Sequence, residues 1–136
     1  KSLGNTINLS DDAVTVQKKI MGMYTDPTRL RATDPGHVEG NPVFTYLDVF
    51  DPDPSVVDEL KERYRLGRVG DVEVKRRLVA TMNAFLEPFR ERRAELASRP
   101  TLVRDILQEG SARARREARE TLEAARGAMG LNYYRV

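Results

Sequence analysis

Apolar residues recur at helical spacing along most of the chain. Ala13, Val16, Ile20 and Met23 share one face of a first helix. Ser10 is its expected N-cap, Asp11 and Asp12 lie in the first turn where the helix dipole favours negative charge, and the end falls near Tyr24. Asn41 and Pro42 start a second helix with Val43, Phe44, Leu47 and Phe50 as its buried side. Asp51-Pro52-Asp53-Pro54 then breaks the chain, and Pro54 or Ser55 opens a third helix through Val56, Val57, Leu60 and Tyr64 to Gly67. Gly70 and Asp71 precede the longest apolar series, Val72, Val74, Leu78, Val79, Met82, Phe85, Leu86 and Phe89, extending to Leu96. Pro88 inside it removes one backbone hydrogen bond and predicts a kink rather than an end. Pro100 starts the last helix, where Leu102, Val103, Ile106 and Leu107 give way to the small residues Ala112, Ala114, Ala118 and Ala125, and Gly130 is the expected stop.

Strand-like alternation is confined to a short extended piece at residues 6–9, so the expected fold class is all-α, a bundle of about five helices. The aromatic residues Phe44, Phe50, Tyr64, Phe85 and Phe89 fall at helical spacing and are expected in the core. Residues 25–40 hold Pro27, Pro35, Gly36 and Gly40 among Thr and Asp, and read as an ordered loop. A stretch of about fifteen residues without regular structure is uncommon in a compact domain and is usually functional.

Composition narrows the chemistry. The 136 residues, 40% apolar, suit one domain, and no apolar run approaches the roughly 20 residues of a membrane helix. No cysteine is present, which excludes disulfides and thiolate metal sites, and the single histidine, His37, is flanked by no acidic pair at ligand spacing. No protein-bound metal is therefore expected, and the cytoplasm is the default location. Net charge is only +2, but arginine outnumbers lysine and is concentrated in the later helices, a composition that permits phosphate and base contact. A solvated helix surface laced with ion pairs accounts for the same residues.

The first residues, Lys1-Ser2-Leu3-Gly4-Asn5-Thr6, resemble the second half of the KMSKS signature of class I aminoacyl-tRNA synthetases. Four further segments resemble the tryptophanyl-tRNA synthetase family. These are Leu9-Ser10-Asp11-Asp12 with Lys18-Lys19-Ile20, Thr25-Asp26-Pro27-Thr28-Arg29, Pro35-Gly36 through Gly40-Asn41-Pro42-Val43-Phe44, and Phe85-Leu86-Glu87-Pro88 with Arg90-Glu91-Arg92-Arg93. Ile106-Leu107-Gln108-Glu109-Gly110-Ser111-Ala112 and Ala128-Met129-Gly130-Leu131 are similar to the family's last helix.

The resemblance implies an enzyme that attaches tryptophan to tRNA(Trp) with ATP. Lys1 would be the catalytic residue, and Lys1 and Ser2 would bind the ATP phosphates, because a mobile lysine stabilises charge that builds on them in the transition state. Mg2+ would accompany ATP. Residues 1–9 would hold the end of the signature loop and a connection from the catalytic domain, and residues 10–136 a helical domain gripping the anticodon arm. Candidates for anticodon contact are Asp26, Arg29 and Arg31 on the long loop and the cluster Lys75, Arg76, Arg77. Tyr133 and Tyr134 either stack on RNA or fold back. The tryptophan pocket would lie in a missing amino-terminal domain, which would also form most of a homodimer. The chain alone is then expected to be inactive. The alternatives are a non-enzymatic helical RNA-binding module and a helical protein-interaction domain.

Overall fold

The computed structural model describes residues 6–31 and 33–131. Five helices follow in order, α1 (Ala13–Met21), α2 (Pro42–Phe50), α3 (Pro54–Arg65), α4 (Asp71–Ala97) and α5 (Pro100–Ala128). Among the described residues there is no strand, so the fold is all-α. The chain divides into two compact units, Lys1–Arg92 and Arg93–Val136.

Caps written into the sequence start the helices. Asn41 Oδ1 accepts the amide of Val43 at 3.0 Å with Pro42 in the first turn, and Asp53 Oδ1 accepts those of Ser55 and Val56. Such side chains satisfy orphan donors that a helix start leaves open. At α1 the structure corrects the expectation. Asp12, not Ser10, is the N-cap, accepting the Thr15 amide at 2.7 Å. Residues 8–11 close a turn of their own, with the Asp11 amide on Asn8 O and the Asn8 amide on Asp11 Oδ2, so the helix cannot begin within it. It also ends earlier, at a Gly22 C-cap rather than near Tyr24.

The core of the first unit gathers Val16 and Ile20 of α1, Val43, Phe44 and Leu47 of α2, Val57, Leu60 and Tyr64 of α3, and Val74, Leu78, Met82 and Leu86 of α4. Each full burial of such a side chain contributes about 1.5–3 kcal/mol against leaving it in water. Ala13 and Val72 are exposed, and Phe50 only half-buried. Phe85 and Phe89 are exposed as well, contrary to the core expectation. The apolar face of α4 is wider than its buried stripe: Val74, Leu78, Met82 and Leu86 line the core, while Phe85 and Phe89 sit to one side, the Phe85 ring meeting those of Phe50 and Phe89 at tilted angles. The helix runs unbroken through Pro88.

The second unit carries the end of α4 and α5. No side chain of α5 is buried over its 29 residues. Gly130, at φ 67°, ends it as expected, with the Leu131 amide returning to Arg126 O.

Candidate nucleic-acid interface

The described residues of the loop 25–40 form no helix or strand, yet the core holds the loop from several sides. Tyr64 is fully buried. The edge of the Phe44 ring meets it at 5.1 Å between centroids, and the Arg29 guanidinium lies 4.2 Å over its face. Its hydroxyl donates to Asp71 Oδ1 at 2.8 Å. Burial pushes that phenol up to about 12. Gly36 lies against the same ring so closely that a Cβ there would stand 2.3 Å from Tyr64 Cε1, and its amide donates to Tyr64 O. At the end of α3 Gly67 adopts φ 67°, with Thr33 O 2.1 Å from where its Cβ would be.

Arg29 supplies the longest ties. Nε donates to Asp34 O, Nη2 to Val69 O at 2.8 Å, and Nη1 to Asp71 Oδ2 at 3.2 Å. Asp34 Oδ2 in turn accepts the amides of Leu30 and Arg31. Asp26 closes the loop on itself. Its Oδ1 accepts the Thr28 hydroxyl at 2.6 Å and the Thr28 amide, while Oδ2 accepts the His37 amide at 2.8 Å and faces His37 Nδ1 at 3.0 Å. The Thr28 hydroxyl first, then the His37 and Thr28 amides, hold this carboxyl far below the usual carboxylate range.

Lys75 joins α4 to the start of the loop. Its buried Nζ donates to Met23 O and Thr25 Oγ1, both at 2.8 Å, and to Met21 O at 3.3 Å, satisfying carbonyls at the end of α1. Burial pushes its ammonium down. Arg77 binds both oxygens of Asp51 at 2.7 Å, and Thr81 Oγ1 adds a third donor at 2.9 Å. These partners, Arg77 foremost, lower Asp51 to about 2. Beside the pair, a groove of about 410 Å³ opens between the end of α2 and α4, lined by Phe50, Ala80, Ala84 and Phe85 with Arg77 at its rim.

Of the six residues singled out for anticodon contact, Asp26, Arg29 and Lys75 are buried and turn their polar atoms to the protein. Arg77 is partly exposed beside Asp51, and Arg31 and Arg76 are exposed. Loop and α4 are thereby brought together from inside, through Lys75–Thr25 and Arg29–Asp71. Sequence reasoning names neither of two outward residues of the same loop as a contact, weighing His37 only as a metal ligand. Leu30 is 92% exposed, and the side chain of His37 is 71% exposed. Lys1, Ser2, Tyr133 and Tyr134 lie outside the described residues. Among the described residues no group of three or more His, Cys, Asp or Glu could hold a metal, and no helix is long and apolar enough to cross a membrane.

Residues 1–87 match the family described as class I tRNA synthetases (W and Y). The chain is 56% identical over 132 residues to the tryptophan–tRNA ligase of Treponema pallidum (strain Nichols), which covers 97% of this chain and 39% of that protein. It is 50% identical over 136 residues to the tryptophan–tRNA ligase of Streptococcus pyogenes serotype M1, covering 98% of this chain and 40% of that one. Among solved structures, the tryptophanyl-tRNA synthetase of Campylobacter jejuni superimposes with a TM-score of 0.76 at 32% identity, over 95% of this chain and 41% of that chain. The chain thus spans about two fifths of the length of the relatives it matches.

Proposed function

Because the chain belongs to the class I tRNA synthetases for tryptophan and tyrosine, we propose that the protein containing it is a tryptophan–tRNA ligase, which attaches tryptophan to tRNA(Trp) at the expense of ATP. The observation that carries this reading is the identity of 50% or more to tryptophan–tRNA ligases across nearly the whole chain, helices and loop included. In it, residues 1–9 form the end of the ATP loop and its connection, and residues 10–136 face the tRNA. Lys1, with Ser2 beside it, stabilises the charge that develops on the ATP phosphates. The nucleotide brings Mg2+ on its own phosphates, and tryptophan binds outside these residues. The protein acts as a homodimer in the cytoplasm.

The anticodon arm is met by the exposed cations Arg31 and Arg76 and by the partly exposed Arg77 beside Asp51, with Asp26, Arg29 and Lys75 holding the backbone that presents them. Unpaired bases suit such a surface, since their edges accept hydrogen bonds and their faces stack on guanidinium planes. The test uses the full-length protein. Tryptophan-dependent pyrophosphate exchange should proceed without tRNA, and Lys1→Ala should slow it by about 10²-fold or more while leaving tRNA affinity nearly unchanged. Binding of tRNA(Trp) should weaken steeply with salt and with an altered anticodon. Equal binding of any RNA, with no tryptophan activation, would favour a non-enzymatic RNA-binding module instead.

A further inference from the structure

Asp26 and His37 form a pair in which one partner is buried and the other faces water. The carboxylate is 2% exposed, and four donors from Thr28 and His37 surround its two oxygens. An ionised carboxylate only accepts hydrogen bonds, so the contact at 3.0 Å requires His37 Nδ1 to carry the proton and donate. In the neutral ring this leaves Nε2 as an acceptor on the side away from Asp26. The Nδ1 contact orients the ring, and the His37 backbone amide donates to the same Asp26 oxygen at 2.8 Å. Its side chain is nonetheless 71% exposed. The outcome is an imidazole with set tautomer and orientation, presenting one lone pair outward from a loop that Arg29 and Gly36 lock to the core.

We propose that His37 is a base-reading residue, whose Nε2 accepts a hydrogen bond from the exocyclic amino group of an unpaired anticodon cytidine. This rests on the tryptophan–tRNA ligase reading. The tryptophan codon is UGG, so the matching anticodon is CCA, and each of its three bases carries an amino donor on its pairing edge. A uridine in place of either cytidine would turn a carbonyl oxygen toward the same lone pair, which repels it. Preorganisation by Asp26 makes the contact selective, since ordering of the ring precedes binding.

The experiment is a double-mutant cycle in the full-length protein, crossing His37→Asn with tRNA(Trp) transcripts in which each anticodon cytidine is changed singly to uridine. Asparagine keeps an amide donor for Asp26 and deletes the outward nitrogen. For the CCA transcript, kcat/KM should fall about tenfold, mainly through KM. The penalty for uridine at one anticodon position should shrink by a similar factor, with pyrophosphate exchange unchanged. His37→Gln, whose side-chain oxygen can reach outward, should restore part of the discrimination. Purely multiplicative losses at both positions, or discrimination by His37→Asn equal to the wild type, would overturn the assignment. If the unsubstituted protein itself ignores the anticodon or fails to activate tryptophan, the ligase reading fails instead.

Discussion

The loop of residues 25–40 and helix α5 invert the usual link between regular backbone and fixed structure. The loop has no repeating hydrogen bonds, yet Asp26, Arg29, Gly36 and Val38 are buried within it. Its ties reach forty residues along the chain, from Arg29 to Val69 O and Asp71. Helix α5 has a complete ladder over 29 residues and buries no side chain. Local hydrogen bonds and good helix formers hold α5, whereas charged groups brought into the interior hold the loop. Regularity therefore does not rank these regions by stability. What fixes the loop is its long-range polar ties.

The largest expected effect comes from cutting the loop free. Arg29→Ala removes a donor from Asp71, which keeps the Tyr64 hydroxyl, and the donor to the Val69 carbonyl, and removal of one partner from a buried ion pair costs about 3–5 kcal/mol. Urea unfolding should show that loss, and proteolysis should move to the loop. Unchanged stability would mean that the loop is not held through Arg29. Next comes Gly36→Ala, which forces a methyl group to 2.3 Å from the Tyr64 ring, an overpacking cost of about 1–3 kcal/mol read in the same unfolding experiment.

Acid should act on the same network. The folded-state pKa of Asp51 lies near 2 and that of Asp26 is also depressed, against 3.8 when unfolded. Their stabilisation is thus complete above pH 3.8 and is lost as pH falls toward 2. Asp51→Asn should cost about 2 kcal/mol near neutrality and flatten the stability curve over that acid interval. An equally steep curve would place the acid sensitivity elsewhere. The smallest effect belongs to α5. Ala118→Gly at an exposed position should lower helicity locally, at about 1 kcal/mol, without shifting the unfolding transition of the first unit. A shared shift of both would show that the regions are not separable.

The fold was legible where the signals are local. Asn41-Pro42, Pro54 and Gly130 act within a few residues of themselves, and the structure starts or ends a helix at each as read. Ser10 reads as the cap with Asp11 and Asp12 in the first turn, whereas the turn that closes on Asn8 moves the cap to Asp12. Spacing put Phe85 and Phe89 on an apolar face, but what a face meets depends on the neighbouring elements. The candidate site was legible as a region rather than residue by residue. A loop arginine has the same sequence signature whether it faces RNA or reaches inward, and the partners of Arg29 at 69 and 71 lie far along the chain. His37 gave no signal because its meaning lies in Asp26, eleven positions away.

The placement of Tyr64 turns this part of the protein into its own optical gauge. The sequence has five tyrosines and no tryptophan, so its near-ultraviolet signal comes from phenol and phenyl rings alone. Tyr64 is the described tyrosine with no exposed surface, set in an asymmetric cage of a cation, a ring edge and a glycine backbone. Such a ring gives a strong aromatic circular dichroism band, and its ionisation near pH 12 appears as the late step of an alkaline titration. Detachment of the loop would collapse that band and bring the late step earlier, reporting the loop's state without any attached probe.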